Sequence, residues 1–204
     1  MIAIIDYGLG NIKSIENMLL KIGEKPAITS DPNQIRHFDK IILPGVGSFD
    51  CGMENLQRMS LTSVLNEQVI EKGKPVLGIC LGMQLMTQKS EEGHKSGLAW
   101  IKAATKRFSF PSSSSLKIPH MGWNTVTPTR TSKLFSGLDS SDTRFYFVHS
   151  YYVECCDNCN VLATTNYGLV FSCAIVQNNI FGVQFHPEKS HKFGMQLLKN
   201  FAEI

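Results

Sequence analysis

Apolar positions in the first half of the chain fall into two alternating patterns. Ile2-Ala-Ile-Ile5, Lys40-Ile-Ile-Leu43 and Pro75-Val-Leu-Gly-Ile79 are short, nearly continuous apolar runs, as expected of strands covered on both faces. After Asn11, apolar residues recur at Ile12, Ile15, Met18, Leu19 and Ile22, a three- and four-residue spacing that predicts an amphipathic helix. Asp31-Pro32 predicts another helix start, an acidic cap followed by proline at the first helical position. A long helix is predicted over about residues 49–72, stopped by Gly73, and a helical run follows at Met83-Gln-Leu-Met86. Buried strands alternating with amphipathic helices give an α/β fold, with a mostly parallel central sheet flanked by helices.

Beyond Leu98 the pattern changes to Thr-rich and aromatic segments separated by turn signals. Residues 145–148, 161–165, 172–176 and 180–185 read as strands, with Gln177-Asn-Asn179 as a turn, so β-hairpin elements are added in the second half. A last helix over 190–201 carries Phe193, Leu197, Leu198 and Phe201 on one face, and Pro111-Ser-Ser-Ser-Ser115 reads as a mobile loop. No repeat interrupts the chain, and residues 1–204 read as one domain.

Composition narrows the class. At 204 residues, with 43% hydrophobic and 18% charged, the chain can close a sizeable core without a metal or disulfide staple, which excludes disordered and collagen-like classes. The net charge of +3 comes from 20 Lys and Arg against 17 Asp and Glu, and the basic residues are scattered, so no nucleic-acid partner is expected. No apolar run approaches the ~20 residues of a membrane span, and no basic segment precedes Ile2-Ala-Ile-Ile5 as in a signal peptide. A cytoplasmic location is therefore expected. In a reducing compartment the six cysteines, at 51, 80, 155, 156, 159 and 173, are packing, metal-binding or catalytic rather than a disulfide framework.

Cys80 stands out by context. Gly78-Ile-Cys-Leu-Gly82 joins a predicted strand to a predicted helix, and small residues on both sides permit the tight turn that lifts a nucleophile above a sheet edge. The helix start behind it favours thiolate, and the amide of Leu81 can donate to an oxyanion. The bland alternative is a small buried core thiol. A thiol nucleophile needs a base, and His186-Pro-Glu188 follows the 180–185 strand. In an extended segment residues i and i+2 share a side, so Glu188 can hold the His186 imidazole. Taken alone, that pair also fits a solvated loop.

The Cys80 elbow, the Pro44-Gly-Val-Gly47 loop and Gln-Phe-His-Pro-Glu-Lys189 together resemble a class I (triad) glutamine amidotransferase domain. Asp6-Tyr-Gly-Leu-Gly-Asn11, Ile118-Pro-His-Met-Gly-Trp-Asn124, Phe147-Val-His-Ser-Tyr151 and Thr165-Asn-Tyr-Gly168 are similar to elements of the glutaminase subunits of imidazole glycerol phosphate synthase. The resemblance runs over essentially the whole chain. It implies a glutaminase of histidine biosynthesis, with Cys80 as nucleophile, His186 as general base and acid, and Glu188 orienting His186. It further implies an oxyanion site at Gly45, Val46, Gly47 and Leu81, and glutamine held by Gly47, Gln84, Ser150 and Tyr151. The Val46 amide is expected to turn before it can donate, so the glutaminase is expected to be nearly idle alone.

No cofactor and no metal are implied. The implied partner is a (β/α)8-barrel cyclase of the HisF type, in a heterodimer that channels ammonia, with Asn11, Trp123, Tyr146 and Lys189 near the interface. Read without the resemblance, Trp123 and Tyr146 fit core aromatics, Lys189 a solvated charge and Asn11 a helix cap. A second acceptor is also open: a paralogue of such a glutaminase supplying ammonia for amidine formation on a surface-polysaccharide (lipopolysaccharide) sugar, suggested by the tail from His186 to Gly194. A non-catalytic binding protein that keeps the fold and a stand-alone cysteine hydrolase are further alternatives. Cys155-Cys156-Asp-Asn-Cys159 with Cys173 invites a zinc reading, but the array lacks a second close pair, and surface or packing thiols are expected instead.

Overall fold

The structure, a computed structural model, describes residues 1–138 and 142–204. The first half is built as the apolar pattern predicts. β1 (Ile2–Ile5), α1 (Ile12–Lys21), β2 (Pro26–Thr29), α2 (Pro32–Ile35), β3 (Lys40–Leu43), α3 (Phe49–Arg58), α4 (Leu61–Asn66), β4 (Val76–Ile79) and α5 (Leu81–Leu85) follow one another. β1 and β4 are buried at every position, which explains their unbroken apolar runs, while α1 turns Ile15 and Leu19 inward. Asp31 caps α2 by accepting from the Asn33 amide at 2.8 Å.

The helix predicted over 49–72 is two helices. Ser60 adopts φ 56 between α3 and α4, and the second helix widens into a π-turn at Glu67–Glu71. Neither glycine nor proline marks that break. Val64, Leu65 and Val69 are buried in the same apolar cluster as Met53 and Leu56, so packing on the sheet sets the change of direction.

The remaining elements are β5 (Lys89–Ser90), β6 (Ala103–Arg107), β7 (His120–Thr125), β8 (Thr127–Pro128), β9 (Arg144–His149), β10 (Tyr151–Cys155), β11 (Val161–Asn166), β12 (Val170–Gln177), β13 (Ile180–Val183) and α6 (His191–Glu203). The main sheet runs β2-β1-β3-β4-β13-β12-β10-β6-β5, with β11 and β8 attached at β12. From β2 to β13 every pair is parallel. From β13 onward β12, β10 and β6 are antiparallel additions, and β7 with β9 forms a separate two-stranded sheet. Among the described residues no helix is long and apolar enough to cross a membrane.

One topological feature positions the site. β13 comes from late in the chain yet inserts directly beside β4, with Val183 opposite Ile79. The two strands therefore end together, and the segment after Val183 runs past Cys80.

Candidate active site

Cys80 sits at the turn from β4 into α5 with φ 55 and ψ −111, a conformation that costs a non-glycine residue roughly 1–3 kcal/mol and persists only where the surroundings enforce it. Its amide donates to Val183 O at 2.8 Å, tying the elbow to β13. The flanking glycines are required by close approach. A side chain on Gly82 would run into the Leu43 carbonyl, and one on Gly78 would meet the Met86 methyl and the Gly82 backbone.

Past Val183, alternation along the extended chain puts Gln184 and His186 on one side. Both are buried, and Gln184 Nε2 donates to Cys80 Sγ at 3.6 Å. His186 Nδ1 lies 2.8 Å from Glu188 Oε1. The carboxylate arrives differently from the extended geometry predicted for it: Pro187–Lys189 is a 3-10 turn. Ser190 closes that turn, its hydroxyl donating to His186 O at 2.6 Å and accepting from the Tyr146 amide at 3.0 Å. His186 N also donates to Tyr146 O at 2.9 Å. The turn is thus clamped between β9 and α6.

With Nδ1 committed to Glu188, Nε2 is the free edge of His186 and makes no hydrogen bond among the described residues. Burial pulls the imidazole pKa down, but the neighbouring Cys80 and the hydrogen-bonded Glu188 carboxylate outweigh it and push it up to about 10. A raised histidine pKa favours the imidazolium. Its contribution to stability is complete below the ordinary value near 6.5 and is lost as pH rises through about 10. Glu188→Gln removes the charge facing Nδ1, so the alkaline limb of the pH profile of glutamine turnover is expected to move at least about one unit toward acid. A limb that stays in place would show that the carboxylate does not hold the imidazolium.

The residues expected to form an oxyanion site are adjacent but not arranged to donate. Leu81 N–H is occupied by Gly45 O at 3.3 Å, so the Gly45-Val46 peptide presents its carbonyl where an oxyanion would need a donor. Tyr7, fully buried, anchors the loop upstream by donating to Pro44 O at 2.6 Å. Burial, with a smaller effect of Cys80, keeps the Tyr7 phenol far above its ordinary pKa, so it remains a donor. Turning the single Gly45-Val46 peptide exchanges that carbonyl for the Val46 amide, and Val46 is 41% exposed.

A cavity of about 330 Å³ opens over the elbow, lined by Val46, Gly47, Cys80, Gln84, Ser150 and Tyr151, with Glu92 and His149 on its wall. The four residues predicted to hold substrate, Gly47, Gln84, Ser150 and Tyr151, are thus brought together. Gln84 Nε2 donates to Gln184 Oε1 at 3.0 Å and to Tyr151 O at 3.3 Å, which leaves Gln84 Oε1 as the acceptor available to a ligand. Three contributors went unread in the sequence. Gln184 was legible from its i−2 relation to His186. Glu92, whose carboxylate accepts from the Phe49 amide at 2.8 Å, and Tyr7 carry no such signal. A larger groove of about 790 Å³ lies elsewhere, lined by residues 127–133 and 135–137 with Asn200 and Glu203, and its lining contains no cysteine or histidine.

Of the four residues read as interface, Trp123 and Tyr146 pair across β7 and β9. Trp123 is 45% exposed and stacks flat on His191 at 5.6 Å, a position unlike a core aromatic. Lys189 is exposed with Nζ 5.6 Å over the Tyr146 ring. Asn11 begins α1, but its side chain accepts from the Ser14 hydroxyl at 2.9 Å rather than capping a backbone amide.

The other cysteines are dispersed. Cys173 is buried in the core, where desolvation holds its thiol well above the ordinary range, while Cys51, Cys156 and Cys159 are exposed. Burial raises half-buried Cys155 to about 11. Among the described residues no three His, Cys, Asp or Glu side chains are grouped to hold a metal ion.

Comparison with known proteins identifies the family. Residues 3–204 match the family described as glutamine amidotransferase class-I. The chain is 55% identical to imidazole glycerol phosphate synthase subunit HisH 2 of Methanococcus maripaludis, covering 100% of this chain and 99% of that one. It is 50% identical to subunit HisH 2 of Pseudomonas aeruginosa over 100% of both, and 47% identical to subunit HisH of Leptospira interrogans over 100% of both. Among solved structures, PurLQS from Thermotoga maritima aligns with a TM-score of 0.74 at 18% identity, covering 99% of this chain and 97% of that one. Another structure, of a glutamine amidotransferase, aligns at 0.74 and 15%, covering 98% and 97%. These two likenesses concern the fold.

Proposed function

We propose that this chain, which belongs to the class I glutamine amidotransferase family, is the glutaminase subunit of an imidazole glycerol phosphate synthase, as its relatives over the full length are named. The observation that carries the chemistry is Cys80 in the lining of a cavity of about 330 Å³, close enough to shift the pKa of His186, whose ring is held by Glu188. Cys80 gives its thiol proton to His186 Nε2 and attacks the side-chain amide carbon of glutamine, and Leu81 N–H with Val46 N–H stabilises the resulting oxyanion once the Gly45-Val46 peptide has turned. His186 delivers its Nε2 proton to the departing amine, so ammonia leaves and a glutamyl thioester remains. Water, deprotonated by His186, cleaves the thioester to glutamate and regenerates the thiol. Gln84 Oε1 and the backbone at Gly47, Ser150 and Tyr151 hold the amino-acid end.

Ammonia passes to a cyclase barrel bound as a heterodimer. The supporting feature is a set of exposed apolar side chains: Val46, which lines the cavity, with Met121 at 61% exposure and Trp123 on β7. A partner seated on Val46 touches the oxyanion loop itself, which accounts for a loop that rests with its carbonyl inward. Coexpression with the cyclase of the same genome is expected to yield a copurifying pair whose glutamine turnover is stimulated by the cyclase ligand, and to restore growth of an auxotroph lacking this glutaminase. Failure to restore growth, with ammonia delivered instead to a sugar-modifying partner, would overturn the pathway while leaving the glutaminase chemistry standing.

A further inference from the structure

His120 and His149 face each other across β7 and β9, both buried, and the chemistry above uses neither. The hydrogen bonds around them fix the position of every proton. His149 Nδ1 lies 2.7 Å from Tyr151 O, and a carbonyl only accepts, so Nδ1 carries the hydrogen. In a neutral ring Nε2 is then bare, and it lies 2.9 Å from His120 Nδ1, which must donate. His120 Nε2 is bare in turn and accepts from Asn124 Nδ2 at 3.2 Å. The second Asn124 N–H goes to Asn166 O at 2.9 Å, and its Oδ1 accepts from Thr125 N at 2.9 Å, so the amide cannot be reversed without breaking both.

Burial enforces the neutral forms. His120 stacks on Phe147 and Tyr167 at 4.8 and 4.1 Å, and His149 packs against Phe108 and Phe171. Desolvation lowers His149 to about 3 and His120 to about 4. At the far end, Tyr151 O also accepts from Gln84, which is bonded through Gln184 to Cys80 Sγ.

We propose that His120 and His149 are positioning residues for glutamine: a relay of hydrogen bonds, all donating in one direction from Asn124 to the Tyr151 carbonyl, fixes the 148–151 wall of the cavity. The inference rests on the glutaminase reading. It gives β7 two roles by simple alternation. Met121 and Trp123 point outward to the proposed partner surface, while His120 and Asn124 point inward and hold the substrate wall, so pressure on the outer face reaches the cavity along one strand.

The test is steady-state kinetics of the assembled complex. His120→Phe removes both ring nitrogens, and KM for glutamine is expected to rise about ten-fold with kcat within about two-fold, the loss of roughly one hydrogen bond from binding. His120→Asn places an amide N–H where Nδ1 stands and is expected to restore KM to within about three-fold. An unchanged KM in His120→Phe, a fall in kcat alone, or an Asn variant as impaired as Phe would overturn the proposal. Nitrogen-15 NMR of histidine-labelled wild-type protein reads the relay without any variant. Both rings are expected neutral with Nδ1 protonated, and an Nε2–H tautomer or an imidazolium at either would overturn it at neutral pH. Absence of glutamine turnover in the wild-type complex with this NMR pattern intact would remove the glutaminase reading and, with it, the relay's role toward glutamine.

Discussion

Cys80→Ala is expected to abolish glutamine turnover, lowering kcat at least about a thousand-fold while the protein stays folded and still assembles with the proposed cyclase partner. The reason is local. Among the described residues the sulfur is the only thiol in the cavity lining, and it stands at the elbow beside the segment that carries the His186–Glu188 pair. The variant loses one small buried atom, so little packing is disturbed, and relief of φ 55 is not available because alanine inherits the same backbone. Measured glutaminase activity above about one per cent of wild type would show that another group attacks the amide. Because ammonia supplied in the medium bypasses this step, the cyclase reaction of the variant complex should persist with added ammonium salt.

His186→Ala is expected to lower kcat for glutamine by about a hundred- to ten-thousand-fold, the range of a lost general acid and base. Its signature differs from that of the cysteine variant. Cys80 remains in place with Gln184 still donating to it, so slow alkylation by a small haloacetamide should survive while ammonia release does not. Turnover within about ten-fold of wild type would remove His186 from the proton transfers. The loss extends beyond chemistry, because Glu188 is then left buried with a carboxylate whose Oε2 already has no partner among the described residues and whose Oε1 loses its histidine. An unpaired buried charge is costly, so the melting temperature should fall for His186→Ala and be partly recovered in a His186→Ala/Glu188→Gln double variant.

What could be read in advance was what neighbours in the chain dictate. The apolar runs of β1, β3 and β4 and the spacing of α1 follow from burial on two faces and on one stripe. Gly78 and Gly82 announce the elbow because no side chain fits there. The residues proposed as nucleophile, base and carboxylate could be named from motifs of three to six residues. The single helix predicted over 49–72 is absent for the complementary reason. Its break at Ser60 answers to packing against residues far away, and no local residue signals it.

The sequence by itself therefore determined the strand-helix alternation and the elbow, since periodicity and steric exclusion act over a few residues, and its motifs pointed to the proposed triad. Only the tertiary structure decided which distant groups meet. It placed β13 beside β4, so that Gln184 and His186 reach Cys80, and it carried Glu188 to its histidine on a clamped turn. It left the Gly45 carbonyl on Leu81 N–H and threaded His120 and His149 into one polarised relay. A peptide's orientation and a buried tautomer depend on partners supplied by other segments, and no pattern in a single segment encodes them.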